Sequence, residues 1–489
     1  MGICAALLLA ACAEEEGRLA PQSADRPWPI PSQSEVAARG GADQADSIRS
    51  HSLAPRAGSE PEERAVDPTH RYGLADLIDL AQRRNPQTRE AWEQARAAAA
   101  QVGLAESEYL PQLSAEAIAG YQRTPLPIPA TLVPQGYFTS DTREVVPTLA
   151  VKWLLFDFGR RHAADVAAKE NSFVANVAFT GAHQRLAYTV SRDFFALGAA
   201  YGKLDAAEKA LQTARVDEEA ATARRTTGVA TVVELAQARR QTAQAEFNVA
   251  RAQGAERNAQ EALIASIGLM PTEKLQIAPL NYEPLPVEPV QALDTLIENA
   301  LSKRPDVLAS LGKIRVAAAH LDNARADHNP SVSLVAQGYQ NIGSLSSQGG
   351  PYYGVDRPGW AVFLQFAWPL FDGGQRHARE SAARAQVGAA EEELNQARIV
   401  AAKEVTDAYY ALRTSLAEHE SARALVHAAL TAHDAELDAY KHGVGTYTDL
   451  INGENSLTQA QTALEDADAD VRTAAAALAF ATGSIAVVQ

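Results

Sequence analysis

The feature that most constrains the fold is an internal repeat, because two similar halves must build two similar structural units. Residues 153–163 read WLLFDFGRRHA and residues 368–378 read WPLFDGGQRHA, so eight of eleven positions are identical at an offset of 215 residues. The same offset relates Gly228 to Gly443. We therefore expect a duplicated architecture rather than a series of unrelated domains.

The N-terminal region differs in character from the repeats. A lipoprotein signal peptide is predicted over 1–11, because a short apolar run ends in Leu-Ala-Ala-Cys and makes Cys12 the predicted site of lipid attachment. The alternative is a buried apolar segment with an incidental cysteine, which the acidic residues directly after it disfavour. The N-terminal linker predicted over 12–70 is rich in Pro, Ala, Ser and Glu, and we expect it to be mostly irregular.

Each repeat predicts two strands followed by two long helices. The first repeat is predicted over 71–270, with strands at 112–123 and 144–156 and helices at 160–226 and 231–267. An inter-repeat linker is predicted over 271–290. The second repeat is predicted over 291–489, with strands at 331–341 and 359–371 and helices at 375–442 and 446–482. The first long helix contains no proline and would be about 100 Å long. Apolar residues recur at every seventh position of the last helix, which is typical of a coiled coil.

Apolar and polar side chains alternate along the predicted strands with the same parity in both repeats. Leu149 and Leu364 fall on one face, and Gln365 falls on the other. A transmembrane barrel requires this alternation, although an ordinary half-buried sheet shows the same period. Since a membrane barrel needs about eight strands or more, four strands per chain would require several copies of the chain.

The composition and the motifs exclude several function classes. A formal net charge of −16 makes the chain a poor ligand for nucleic acids, and two cysteines are too few for a disulfide scaffold. No apolar run reaches the length of a membrane-spanning helix. No metalloprotease, serine hydrolase or phosphate-loop motif occurs, and the repeated His162 and His377 each stand beside an arginine. We expect no catalytic residue, no metal site and no cofactor.

Two motifs and two turns carry a family resemblance. The strand-to-helix motifs Leu-Phe-Asp-Phe-Gly at 155–159 and Leu-Phe-Asp-Gly-Gly at 370–374, and the turns at Gly228 and Gly443, resemble those of TolC-like outer-membrane efflux channels of the lipoprotein branch. The resemblance implies a mainly α-helical chain with a membrane β-barrel portion. Three chains would form a barrel of about twelve strands, continued by an α-helical barrel in the periplasm.

The resemblance also implies partners. These are two further copies of the chain, outer-membrane lipid, a periplasmic adaptor protein and an inner-membrane pump, and no nucleic acid. The implied function is a passive conduit for the efflux of small molecules. The alternatives are the outer-membrane conduit of type I protein secretion, and a lipid-anchored periplasmic coiled-coil scaffold.

Two aspartates stand where a strand turns into a helix. We expect Asp157 and Asp372 to accept hydrogen bonds from the free backbone amides at the helix start. The glycines that follow, Gly159, Gly373 and Gly374, allow a sharp exit from the sheet. We therefore interpret the aspartates as helix caps and not as catalytic acids.

Two glycines end the first long helix of each repeat. Gly228 and Gly443 occupy the position after a helix where glycine is most common. The resemblance places these glycines, with Val229 and Val444, at the periplasmic tip, where the adaptor makes contact.

The resemblance further implies a gate that is closed partly by acidic residues six and nine positions after the tip glycine of the second repeat, and the first repeat has two equivalent positions. These positions hold Asp449 and Asn452 in the second repeat, and Glu234 and Gln237 in the first. In a trimer, Asp449 and Glu234 together would supply carboxylates near one axis and favour cations. The alternative is that both acids are ordinary solvated helix residues.

Overall fold

The structure is a computed structural model. It describes residues 19–29, 70–129, 131, 134–272, 275–278, 285–286 and 291–485. The predicted signal peptide, the lipid site at Cys12 and much of both predicted linkers lie outside the described residues. The chain divides into a strand-bearing unit, which includes Ala98–Ser172 and Gly312–Glu391, and a helical unit, which includes Gly17–Ala97, Phe173–Leu311 and Glu392–Gln489.

The first repeat begins with a short strand and two helices, which precede the long elements. Its elements are β1 (Arg71–Tyr72), α1 (Leu74–Arg84), α2 (Pro86–Ser107), β2 (Gln112–Pro127), β3 (Tyr137–Phe156), α3 (Arg160–Thr226) and α4 (Val232–Ile267). The bounds of α3 are those predicted, because no proline interrupts its 67 residues.

The second repeat has the same order of elements. They are β4 (Gln276–Ile277), α5 (Leu293–Lys303), α6 (Pro305–Ala326), β5 (Ser331–Ser347), β6 (Tyr352–Ala367), α7 (Gln375–Lys441) and α8 (Tyr447–Ala481). Strands β1 and β4 pair in parallel, so the two short strands that open the repeats lie together.

The strand-bearing unit contains one antiparallel sheet of four strands, in the order β2-β3-β5-β6. Each repeat supplies one hairpin, and the β3–β5 pair joins the two hairpins. The pairing of β3 with β5 skips Val146 and Pro147, since proline has no amide hydrogen to donate. Strands β2 and β6 are the edges of the sheet in a single chain.

The strands are longer than the sequence predicts. The predicted strands leave gaps at 124–143 and 342–358, but most of these residues extend the two hairpins, and the sixth strand ends at Ala367 rather than at 371. Pro125 and Pro358, which fall in these gaps, lie in the edge strands β2 and β6. Proline is tolerated in an edge strand, because one side of that strand has no partner in the sheet.

Large apolar side chains along the sheet are exposed in the single chain. From Arg143 to Leu149, exposed positions of β3 alternate with half-buried ones, which is the predicted two-residue period. Leu149 is 57% exposed and Leu364 is 68% exposed. An apolar surface of this extent requires cover from lipid or from protein.

The helical unit contains two similar cores, one for each repeat. The first contains Ala81 of α1 and Val190 of α3, and both are fully buried. The second contains the equivalent residues Ala300 of α5 and Val405 of α7, which are also fully buried. Equivalent helices of the two repeats therefore make equivalent contacts.

Small buried residues recur along the long helices at the predicted spacing of seven. Ala238 and Ala245 of α4 are buried, as are Ala460 and Ala467 of α8. Small side chains at these positions let neighbouring helix backbones approach closely. Within the described ranges, no helix combines the length and the apolar character needed to cross a membrane.

Part of the predicted N-terminal linker is docked on the helical unit. Asn176, Thr180 and Trp92 donate side-chain hydrogen bonds to backbone carbonyls of residues 19–29, at 2.6, 2.9 and 2.9 Å. These contacts fix the first described segment of the chain against α2 and α3.

Candidate functional site

The predicted caps lie at the junctions between strand and helix. In the first repeat, Asp157 accepts from the backbone amides of Gly159 at 3.4 Å and of Arg161 at 2.9 Å. The guanidinium of Arg161 also donates to Asp157 at 3.1 Å and to the carbonyl of Leu154 at 2.7 Å. Since Arg161 is buried, it ties the end of β3 to the start of α3.

The second repeat reproduces this junction. Asp372 accepts from the amides of Gly374 and Arg376, both at 3.1 Å, and from the guanidinium of Arg376 at 2.7 Å. Gly373 and Gly374 have positive φ angles of 68° and 88°. These contacts are those of a helix cap, in which the carboxylate accepts from the first amides of its own helix.

The long helices of each repeat meet in a tight turn. Gly228 and Gly443 adopt the left-handed conformation, with φ of 80° and 75°. The amides of Val229 and Val444 donate to carbonyls five residues earlier, at 2.9 and 3.0 Å, as in the turn that commonly closes a helix. Val444 is 83% exposed, and Val229 is also exposed, so these turns present apolar side chains to their surroundings.

The two predicted gate acids begin the second helix of each hairpin. Thr231 accepts from the amide of Glu234 at 3.1 Å, and Thr446 accepts from the amide of Asp449 at 3.2 Å. The carboxylate of Asp449 returns this contact by accepting from the hydroxyl and the amide of Thr446. Hydrogen bonds from Thr446 lower the pKa of Asp449 below its ordinary value, so this exposed carboxylate is charged at neutral pH.

Glu234 has a second set of contacts that Asp449 lacks. The hydroxyl of Tyr440 donates to Glu234 at 2.6 Å, and the guanidinium of Arg224 lies 3.5 Å from the same carboxylate oxygen. Arg224 also donates to the Tyr440 hydroxyl and stacks over its ring. Burial, and then the contact with Glu234, raise the pKa of Tyr440. We call this group of Tyr440, Glu234 and Arg224 the latch.

The latch changes the interpretation of the gate acids. From the sequence, Glu234 and Asp449 are expected to be equivalent carboxylates that both lie near the channel axis at the same height. The structure separates them, because the Glu234 side chain is only 15% exposed and is bound to α3 and α7, whereas Asp449 is exposed. The position equivalent to Tyr440 in the first repeat holds Arg225.

The two predicted gate amides also differ. Gln237 donates to the hydroxyl of Thr448 at 3.4 Å, and one turn further along Gln241 donates to Asn455 at 2.9 Å. Both contacts join α4 to α8. Asn452 is exposed, so its side chain adds a neutral polar group close to Asp449.

Within the described part of the chain, no group of three or more His, Cys, Asp and Glu residues is arranged to hold a metal ion. The functional candidates are the exposed sheet, the turns at the ends of the helical hairpins, and the acids and amides beside those turns.

Comparison with known proteins shows what these features belong to. A family model described as outer membrane efflux protein matches residues 77–269 and 296–484, which are the two repeats. The chain belongs to the outer membrane efflux protein family. This match confirms the resemblance that the sequence motifs predict, and with it the location in the outer membrane.

Individual members of the family are similar over most of their length. Protein CyaE of Bordetella pertussis is 28% identical over 412 residues, with 84% of each chain covered. The cation efflux system protein CusC of Escherichia coli O157:H7 is 27% identical over 386 residues, covering 78% of this chain and 79% of CusC. The open state of the MtrE outer membrane channel of Neisseria gonorrhoeae matches with a TM-score of 0.69 and 25% identity, over 84% of this chain and 88% of MtrE.

Several residues of this efflux-family site were not predicted from the sequence. Arg161 in the first repeat and Arg376 in the second each follow a cap aspartate by four residues. This repetition could have indicated from the sequence that the two arginines belong to the junction. Tyr440 and Arg224 gave no such signal, because each occurs in one repeat only and their contact joins residues 216 positions apart.

Proposed function

We propose that this chain is the outer-membrane conduit of a tripartite export system, which moves small molecules out of the cell together with an inner-membrane pump and a periplasmic adaptor. The family match over both repeats is the observation that carries the proposal. The exposed apolar sheet supports it, since a barrel wall needs lipid-facing apolar residues. In this proposal the pump supplies the energy, and the conduit catalyses no chemistry.

The proposed assembly is a homotrimer. A sheet with four strands has two open edges, here β2 and β6, and an open edge in lipid would leave backbone groups without hydrogen bonds. Three copies joined edge to edge would close a barrel of about twelve strands and remove every edge. The long helices α3 and α7 would continue from the barrel as the wall of a periplasmic tunnel.

We assign the gate of the conduit to the ends of the helical hairpins. The latch fastens the start of α4 to the ends of α3 and α7 within one chain. Asp449, which is exposed and charged, would supply one carboxylate per chain to a ring that attracts cations. Asn452 and Gln237 would add neutral polar groups beside that ring. Opening would then require the latch contacts to break in each chain.

The turns at the hairpin ends are the proposed contact for the adaptor. They expose Val229 and Val444, each beside a tip glycine, and the cations Arg225 and Lys441 lie within a few residues of them. Exposed apolar side chains beside charged ones are typical of a protein interface. Binding there would act directly on the helix ends that hold the latch.

We further propose that Cys12 carries a lipid that anchors the mature chain in the outer membrane. The Leu-Ala-Ala-Cys sequence supports this proposal. The docked segment 19–29 follows a few residues later, so the anchor would be attached to a fixed part of the helical unit.

An export assay in cells tests the proposed function. The chain would be expressed with a candidate inner-membrane pump and adaptor from the same source, in a host that lacks its own outer-membrane channel. We expect the intracellular level of a fluorescent dye to fall several-fold, and to stay high when the pump is inactive. An unchanged dye level with a protein cargo appearing in the medium would support the secretion alternative. No effect on either, together with no conductance in lipid bilayers, would support the scaffold alternative.

A further inference from the structure

The face of the sheet that bears Leu149 carries two arginines near the hairpin loops. The strand register places Arg123 of β2 opposite Asp141 of β3, and Tyr121 of β2 opposite Arg143 of β3. Arg143 precedes Leu149 by six residues along β3, so the two side chains are on the same face of the sheet. Arg123 and Arg143 are both exposed. The same face is therefore apolar nearer the helices and cationic nearer the loops.

An aromatic ring, and not an acid, holds the guanidinium of Arg143. Its Cζ atom lies 4.4 Å from the centre of the Tyr352 ring, which belongs to β6, two strands away in the sheet. Between them on β5, the residue opposite Arg143 is Ser344, and its small side chain leaves room for this reach. The next residue along β3, Glu144, is on the opposite face. Stacking uses the face of the guanidinium and leaves the N–H groups at its edge for an anion.

Arg123 is positioned by Asp141, which is itself fixed by Tyr121. The hydroxyl of Tyr121 donates to an oxygen of the Asp141 carboxylate at 2.6 Å, and Nε of Arg123 lies 3.6 Å from the same oxygen. Asp141 is only 5% exposed, whereas the Arg123 side chain is 64% exposed. Since Nε makes this contact, the two terminal amino groups of Arg123 remain for a further acceptor.

The charges at this end of the sheet leave one cation without an acidic partner. Residues 124–140 and 345–355, which include both hairpin loops, contain no charged residue. Asp356 shares the face of the arginines, but it accepts from the side-chain amide of Gln340 and lies about 13 Å along β6 from the ring that holds Arg143. Asp141 is therefore the one carboxylate, among the described residues, that contacts either arginine.

The surroundings of the two arginines identify the anion that would bind them. Towards the helices, this face exposes large apolar residues, among them Val145, Leu149 and Leu364. Lipid hydrocarbon over these residues would bring the lipid headgroups to the level of the arginines, where tyrosine is also common. Arginine binds the oxygens of a phosphate through two parallel N–H groups, which makes a lipid phosphate a suitable ligand.

We propose that Arg143 and Arg123 bind the phosphate groups of an outer-membrane lipid on the outer surface of the barrel. The proposal rests on the proposed conduit, because it requires lipid to cover the face that bears Leu149. The hairpin loops lie at the end of the sheet opposite to the strand-to-helix junctions, and the helices of the conduit extend into the periplasm. The two arginines therefore lie at the outer leaflet, where each copy would hold lipid around the rim of the barrel.

Native mass spectrometry of the full-length trimer, extracted from outer membranes into detergent, tests the site without any substitution. The probes are lipid A that carries two phosphate groups and the same lipid after both phosphates are removed. We expect the phosphorylated lipid to bind about 25-fold more tightly, since each cation at a membrane surface contributes about fivefold. Equal binding of the two lipids would overturn the proposal.

Inorganic phosphate is the third probe, and it distinguishes a lipid from a free anion. We expect an excess of inorganic phosphate to leave the phosphorylated lipid bound, because the acyl chains also pack against the apolar part of the face. Complete displacement by inorganic phosphate would show a site for a free anion and would overturn the lipid as the ligand.

Matched variants test which arginines bind the phosphate. Arg143→Gln and Arg123→Gln should each weaken binding of the phosphorylated lipid about fivefold and leave binding of the dephosphorylated lipid unchanged. Arg357→Gln is the control: Arg357 is exposed on β6, but it precedes Gln365 by eight residues and is therefore on the opposite face. This control should bind lipid as the wild type does. Unchanged binding in the first two variants, or an equal loss in the control, would overturn the assignment.

Conductance of the same preparations in planar bilayers separates this proposal from the proposed conduit. Trimers that conduct ions but bind both lipids equally would overturn the lipid site alone. Trimers that prefer the phosphorylated lipid but conduct no ions would overturn the conduit and support a lipid-facing sheet.

Discussion

Replacing Tyr440 by phenylalanine removes one oxygen atom from the latch and leaves the ring in place. The lost hydroxyl donates to the Glu234 carboxylate at 2.6 Å. Arg224 remains 3.5 Å from the same oxygen and can still balance its charge. The variant therefore weakens the fastening between α4 and α7 without leaving an isolated buried charge.

The size of the effect follows from the chemistry and the exposure of the contact. A hydrogen bond to a charged group contributes about 1.5–3 kcal/mol in a protein interior. Because Tyr440 is only half-buried, solvent screening reduces this to about 1–2 kcal/mol for each chain. The equilibrium constant for opening the hairpin end should rise about 5- to 30-fold.

Single-channel recording in planar bilayers measures this change as open probability. Tyr447→Phe is the matched control, since the Tyr447 hydroxyl is buried without a partner among the described residues and its loss should not favour opening. We expect Tyr440→Phe to open more often than the wild type and Tyr447→Phe to open no more often than the wild type. Equal open probability for all three proteins would refute the assignment of the latch to the gate.

Four further changes test other parts of the account. Leu149→Arg should destabilise the assembled barrel by about 2–4 kcal/mol, which would be measured as a lower yield of heat-modifiable trimer. Gln365→Arg, on the other face, should leave the trimer yield unchanged, and an equal loss for both variants would mean that the two faces are misassigned. Asp372→Ala removes a helix cap and should lower the midpoint of thermal unfolding; an unchanged midpoint would show that the cap contributes nothing. Asp449→Asn should weaken the block of channel current by divalent cations added from the periplasmic side, while the trimer yield stays unchanged. If the block persists in this variant, Asp449 is an ordinary surface charge. Cys12→Ser should abolish the lipid detected by mass spectrometry of the mature N-terminus, yet still form trimers; an unmodified Cys12 in the wild type would contradict the anchor.

The long helices were predictable because their signals are local and repeated. A proline-free run from Arg160 to Thr226 admits little except one helix, and glycine at 228 and 443 marks its end in both repeats. The caps at Asp157 and Asp372 were predictable for the same reason, since a cap acts on amides within four residues.

The ends of the strands were not predictable from local composition. Proline ordinarily favours a loop over a strand, but Pro125 and Pro358 lie in edge strands, where proline is tolerated. Whether a strand is an edge depends on the order of strands in the sheet and not on the sequence nearby. Glycine and serine in 342–347 likewise belong to β5, because pairing with β3 and β6 holds them extended.

The asymmetry of the gate acids also depended on long-range contacts. Glu234 and Asp449 begin their helices in the same way, so the repeat suggested the same role for both. Tyr440 approaches Glu234 from 206 positions away, and the equivalent position in the first repeat holds Arg225.

Single-particle imaging of the protein extracted from outer membranes into nanodiscs counts the copies that close the sheet. We expect three copies, with the β2 edge of each copy paired to the β6 edge of the next around an open lumen. A single copy whose four-stranded sheet is covered by other protein, or any assembly in which β2 and β6 remain unpaired, would contradict the claim that this chain is a membrane conduit.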